Sequence, residues 1–334
     1  MNEPWRGTTR EAESSGHGVD SHHGRFALGD APVLRERAGV VAAMAQLLAL
    51  GRVRATSHFT HVNGLCLHHL AVGKGPVIVL LHGACGGAAN WFRLLEPLSR
   101  DHHVLALDLP GFGLSEAIDP QPPLGLHIAR IVQSWLAALS IDNCAVVGTS
   151  FGALPAFRLA QIDSARVKRV VLIDAVGLGR EVPLPLRLAS LAPLAPLALK
   201  PSRFATRWQF YELMVSQGAR MPKADVDGLL EYLWQSAVCT DQHKLQRAFT
   251  MFSDIRGQRE VVSDEELREF AGRLLLVWGE RDRFLPLAHA RRAAALVPRA
   301  LLRIIPGAGH SPNWEAPDAV LECLTAFLGN RPLL

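Results

Sequence analysis

Asn143-Cys144-Ala145-Val146-Val147-Gly148-Thr149-Ser150-Phe151-Gly152-Ala153-Leu154-Pro155-Ala156-Phe157-Arg158 is the stretch on which the fold assignment turns. Its first part is a short, nearly continuous apolar run, as suits a strand covered on both faces. Its last part has the three-to-four-residue apolar spacing of a one-sided helix. Between them stands Gly148-Thr149-Ser150-Phe151-Gly152. A serine on so tight a strand-to-helix turn is held in a strained backbone conformation, and the flanking glycines let neighbouring chain approach without a Cβ clash. Ser150 is thereby pushed outward at a helix N-terminus, whose unpaired N–H groups favour developing negative charge. Ser150 is a candidate nucleophile; the alternative is an ordinary N-cap serine.

The same alternation continues on both sides. Residues 65–73 alternate as a half-exposed strand would, and residues 76–83, 102–108, 143–149, 169–175, 273–279 and 300–306 form nearly continuous apolar runs. Residues 91–100, 127–139, 154–162, 287–297 and 316–328 between them have helical apolar spacing. Strands alternating with helices predict an α/β fold: a mostly parallel sheet with helices on both faces. The rhythm breaks between about 178 and 265, which opens on the Pro- and Leu-rich Arg180 to Pro201 and then shows three amphipathic segments and no strand-like run. This predicts a helical insertion forming an apolar cap over a pocket, unless its apolar faces simply pack on the main core. Ser263 followed by Glu266 has the pattern of a capping box where the sheet resumes.

A serine hydroxyl is a poor nucleophile at neutral pH and needs a base. Of the fourteen histidines, His310 is best placed, in the loop Pro306-Gly307-Ala308-Gly309-His310-Ser311-Pro312 after the last apolar run. Loops at strand ends are where open parallel sheets carry their sites. An acid must hold the imidazole in its tautomer, and Asp282, after the run at 273–279, gives the order Ser, Asp, His. Asp174 and Glu280 are competitors for that role. Asp108 reads as structural, bonded to backbone N–H groups of the turn after it. Attack on a carbonyl needs two backbone donors for the oxyanion. Phe151 N–H is one, and Ala84 N–H the other, with Cys85 as its alternative. Cys85 lacks the strand-turn-helix setting and reads as a pocket residue. Trp208, Tyr211, Phe284 and Ser311 complete the expected substrate pocket.

With 49% apolar and 20% charged residues the chain has the make-up of a globular protein. The net charge of +4 is spread rather than clustered, which argues against a nucleic-acid partner. The five cysteines include no CxxC pair, which suits a reducing cytoplasm. Residues 1–32 read as a loose tail, in which His22-His23 lacks a third metal ligand. Residues 33–51 read as a helix packed on the protein, or else as a weak membrane-surface or partner contact flanked by arginines. The remaining boundaries are a core over 52–177, the cap over 178–265 and a second core part over 266–334. The chemistry requires no metal or organic cofactor.

Five segments, LLHGACGGAANW, ALDLPGFGLS, VVGTSFGA, VWGERDRFLP and IIPGAGHSPNWEAP, stand in the order found in the cap-bearing branch of the α/β-hydrolase superfamily, which the chain resembles over about 55–334. The resemblance implies an eight-stranded sheet with a helical cap inserted after the sixth strand. Haloalkane dehalogenases and epoxide hydrolases place an aspartate where Ser150 stands. Carbon–carbon bond hydrolases of aromatic degradation are similar in the cap and in LIDAVGLG, yet usually have Asn before the serine and Trp after the histidine, where this chain has Thr149 and Ser311. Ester hydrolysis of small apolar acyl or aromatic substrates through an acyl-enzyme is therefore the first expectation. Carbon–carbon hydrolysis is the second, and a receptor-like binding protein with a retained pocket is the alternative of another class.

Overall fold

The structure, a computed structural model, describes residues 36–191 and 199–329. The expected tail, with His22 and His23, lies outside the described residues.

Eight strands form one sheet: β1 (Thr56–Val62), β2 (Leu65–Val72), β3 (Val77–Leu81), β4 (His103–Leu107), β5 (Cys144–Thr149), β6 (Val167–Ile173), β9 (Arg273–Gly279) and β10 (Leu301–Ile305). Their order across the sheet is β1-β2-β4-β3-β5-β6-β9-β10. β1 and β2 are antiparallel to each other and β2 to β4, and every pair from β4 to β10 is parallel. The apolar runs are continuous because successive side chains enter two separate cores. Val79, Leu81, Val146, Leu172 and Leu276 face the helices Leu124–Ala138, Ala153–Ile162 and Leu287–Leu296. Ile78, Leu80, Val147, Val171 and Leu275 face Phe92–Ser99 and Pro317–Leu328. The architecture is the expected α/β one, with helices on both faces.

β1 has no counterpart among the apolar runs. As an edge strand it pairs only with β2, and its side chains are mostly exposed or half-buried, so Ser57, His58 and His61 break any apolar pattern.

The insertion follows β6. It contains helices Leu184–Ala189, Arg203–Gln209, Lys223–Cys239 and Gln242–Phe252, and a minimal hairpin of β7 (Ser253–Asp254) and β8 (Gly257–Gln258) that the sequence pattern did not reveal. Residues 203–217, read as one amphipathic helix, divide at Phe210 into an α-helix and a π-helical turn, Phe210–Met214. Both legs of the insertion are tied to the core. The Arg292 guanidinium donates to Leu178 O at 2.9 Å and to Val262 O at 3.1 Å, one carbonyl from each leg. His289 Nε2 meets Glu181 at 2.6 Å.

Helix Ala38–Leu50 buries Val40, Ala43, Met44 and Leu47 in the same core as Leu229, Tyr232 and Leu233 of the cap helix Lys223–Cys239. A Cβ on Gly228 would lie 3.0 Å from Leu47, so glycine permits this approach. The apolar face of this helix is thus covered by the protein itself. No helix among the described residues is long and apolar enough to cross a membrane.

Candidate active site

In a parallel sheet all strands end on the same edge, so residues just beyond those ends converge whatever their separation in sequence. Ser150 follows β5, Asp174 follows β6, Asp282 lies three residues past β9, His310 five past β10, and the loop from His82 follows β3.

The serine turn is as tight as its glycines imply. Ser150 adopts φ +50°, the left-handed region that side chains disfavour. A Cβ on Gly152 would stand 2.4 Å from Leu81 O, and one on Gly148 would stand 2.4 Å from Gly152 O. Only glycine lets the helix start so close to β3 and β5.

His310 Nε2 lies 2.9 Å from Ser150 Oγ, and His310 Nδ1 lies 2.9 Å from Asp282 Oδ2. The other Asp282 oxygen accepts the N–H groups of Phe284 at 2.7 Å and Leu285 at 2.9 Å. Burial alone would raise the Asp282 pKa, but the adjacent His310 and these donors outweigh it and hold the carboxyl below its usual range. The Phe284 ring stacks on the imidazole at 4.5 Å and fixes its plane. A serine, an imidazole and a carboxylate are therefore brought into one hydrogen-bonded relay.

The competing acids separate on geometry. Glu280 accepts the Gly307 N–H at 2.8 Å and takes no part in the relay. Asp174 is within the cluster: its ligand oxygen, one of Asp282 and a His310 nitrogen lie within 4.8 Å of one another. It is fully buried, and its Oδ1 accepts the Gly279 N–H at 2.9 Å. Burial and then the Asp282 charge raise its pKa well above the ordinary carboxyl range. The cluster is a possible ligand set by atom count alone, yet both nitrogens of its imidazole are already engaged, one with Ser150 and the other with Asp282. Asp108, as expected, is structural. It accepts the N–H of Leu114 at 2.8 Å and that of Ala88 at 2.5 Å, and meets His68 at 2.7 Å.

Ser150 opens into a cavity of about 390 Å³. Ala84, Cys85, Phe151, Trp208 and Phe284 line it, as expected, together with Leu186, Leu213, Met214 and Phe252. The Cys85 thiol is pushed up to about 11 by loss of solvent, which leaves it a neutral wall group. Two expected pocket residues are elsewhere. In the π-helical turn Phe210 takes the buried position against Trp314 and Tyr211 is turned outward, beneath the Arg207 guanidinium. Ser311 is buried off the cavity, where its carbonyl accepts the N–H groups of Trp314 and Glu315. The polar lining missed from sequence is Gln209, Thr240, Asp241 and Lys244. These sit where cap helices begin or end, and nothing in a linear pattern marks which side of such an end faces a cavity. Glu315 was also missed. Its carboxylate accepts Gly309 N–H at 2.9 Å and Ser216 N–H at 2.8 Å, joining the histidine loop to the cap.

Comparison with known proteins agrees with this fold. Residues 76–317 match the family model of the α/β hydrolase fold. A 2-hydroxy-6-oxo-6-phenylhexa-2,4-dienoate hydrolase of Burkholderia cepacia is 30% identical over 82% of this chain and 97% of its own. Among solved structures, a hydrolase of the same description from Rhodococcus sp. strain RHA1 superposes with a TM-score of 0.68 at 24% identity, covering 83% of this chain and 99% of that one. A carboxylesterase from Bacillus subtilis does so with a TM-score of 0.71 at 19% identity, covering 89% and 100%; these two structures speak to fold alone. With the matched segment spanning most of the chain, this protein belongs to the α/β-hydrolase family and is a hydrolase.

Proposed function

We propose that the protein is a serine hydrolase that cleaves a carbon–carbon bond next to a ketone in aryl-substituted ring-fission products, using Ser150, His310 and Asp282. The observation that carries the reading is the Ser150–His310–Asp282 relay at the floor of a largely apolar cavity. The Burkholderia relative supports this reading above ester hydrolysis, the first expectation from sequence.

On a 6-phenyl-6-oxo substrate, His310 takes the Ser150 proton as Oγ adds to the ketone carbon. The N–H groups of Phe151 and Ala84, both bordering the cavity beside Ser150, receive the oxyanion. With the 2-enol first tautomerised to the ketone, its hydroxyl proton moving to C5, collapse leaves a benzoyl ester on Ser150 and expels the chain as a dienolate, whose oxygen takes its proton from His310. Water, deprotonated by His310, then releases benzoate, while Asp282 stays ionised throughout. The phenyl ring would be held by Leu186, Leu213, Met214, Phe252 and Phe284, which gain by excluding water. The carboxylate of the dienoate would meet Lys244, whose ammonium donates to Ala117 O at 3.0 Å.

Ester hydrolysis is the second reading, favoured by Thr149 and Ser311 at the places where Asn and Trp were expected for carbon–carbon cleavage. The deciding experiment compares kcat/KM for 2-hydroxy-6-oxo-6-phenylhexa-2,4-dienoate and for 4-nitrophenyl esters. The expected result is faster loss of dienoate absorbance, abolished in Ser150→Ala by several orders of magnitude. Turnover of esters alone would transfer the assignment to the second reading. Labelling of Ser150 by a fluorophosphonate without multiple turnover on either substrate would leave only a binding protein.

A further inference from the structure

Between Glu181 and Glu212 the chain has no acidic residue and four cations, Arg187, Lys200, Arg203 and Arg207. The same stretch supplies two cap helices, Leu184–Ala189 and Arg203–Gln209, that each wall the cavity with one side: Pro185 and Leu186 from the first, Ala205 and Trp208 from the second. On their other sides, among the described residues, Phe204 is 80% exposed and Leu184 54%, and Leu188 is also exposed; Tyr211, in the turn that follows, is exposed too. A globular surface does not ordinarily keep an aromatic side chain so bare, and a concentration of such side chains marks a docking face. Arg203 pairs with Glu231, and Glu212 with Arg283. Among the described residues no carboxylate pairs with Arg187, Lys200 or Arg207.

We infer that this outer cap face rests on an anionic phospholipid surface, with Leu184, Leu188 and Phe204 entering the acyl boundary and Arg187, Lys200 and Arg207 meeting headgroup phosphates. Exposed apolar and aromatic side chains in a stretch whose charges are all positive have the chemistry of interfacial binding. A second copy of the chain fits less well. A two-fold contact would set this acid-free stretch against itself, placing like charges together. The face lies on the outer side of two helices that wall the cavity.

The inference does not depend on which bond the enzyme cleaves, and its test needs no turnover. Full-length protein is floated with phosphatidylcholine vesicles containing or lacking phosphatidylglycerol, at low and high salt. The expected result is binding to the anionic vesicles that weakens with salt. It should fall at least tenfold in Leu184→Ser/Leu188→Ser/Phe204→Ser and in Arg187→Gln/Lys200→Gln/Arg207→Gln. Both variants should keep the wild-type rate on a water-soluble substrate, which shows that they fold. Ser150→Ala should bind vesicles as the wild type does, so loss of activity and loss of binding are read separately. Absence of binding to anionic vesicles, or binding indifferent to both variants, overturns the inference. So does a dimer in sedimentation that the apolar variant abolishes, which would make a second copy the occupant.

Discussion

Asp174 and Asp282 illustrate how two identical side chains a few ångströms apart have their pKa values pushed in opposite directions. Asp282 receives two backbone donors and the imidazole; Asp174 receives one backbone donor and faces the Asp282 charge without water. Burial and the Asp282 charge both favour the protonated form of Asp174. In the unfolded chain this carboxyl ionises near pH 4. Between that pH and its raised folded pKa, the folded state holds one more proton, so its contribution to stability declines as pH rises. The depressed Asp282 works oppositely: its contribution is present above the unfolded pKa and lost as pH falls through the folded value. Asp174→Asn keeps size without the titration. Melting temperatures from pH 4.5 to 7 should therefore rise relative to wild type toward the upper end, with activity within a few-fold. Asp174→Ala, which leaves the buried Gly279 N–H without its acceptor beside the relay, should lower kcat by roughly ten- to a hundredfold. At the same scale, Lys244 is the one cationic side chain in the cavity lining among the described residues. Lys244→Gln should raise KM for the carboxylate-bearing dienoate about tenfold and leave neutral esters unchanged, as steady-state kinetics on both would show.

At the scale of elements, the legible features were those written in short-range chemistry. Ser263 and Glu266 form the capping box that their spacing announces, each side chain meeting the other's backbone N–H, at 3.1 Å and 2.8 Å. Ser263→Ala should destabilise the protein by about 1 kcal/mol, seen as a lower urea midpoint with unchanged slope. The serine turn was legible for the same reason: glycine at 148 and 152 answers a clash within one strand-turn-helix unit. Edge strand β1 and the π-helical turn at Phe210–Met214 were not. The pairing of β1 comes from β2, and the outward turn of Tyr211 is decided by Phe210 and Trp314, about a hundred residues apart.

For the whole molecule, the cap is an insertion whose two legs must be held for its helices to stay over Ser150. Arg292 holds a carbonyl of each leg and also pairs with Asp264. Arg292→Ala should leave Ser150 reactive toward a small fluorophosphonate but speed proteolysis within the cap and lower kcat/KM for bulky substrates several-fold. Limited digestion beside labelling kinetics would separate the two effects. The amino-acid order by itself determined the alternation of strands and helices, the place of the insertion and the order of the reacting residues, because hydrophobic period and turn chemistry are local properties. Which acid serves His310, that burial raises the pKa of its rival, which cap side chains face the cavity, and that helix Ala38–Leu50 is covered by the cap were decided only by tertiary structure. Each depends on distances and burial between segments far apart in the chain, and no local pattern records those.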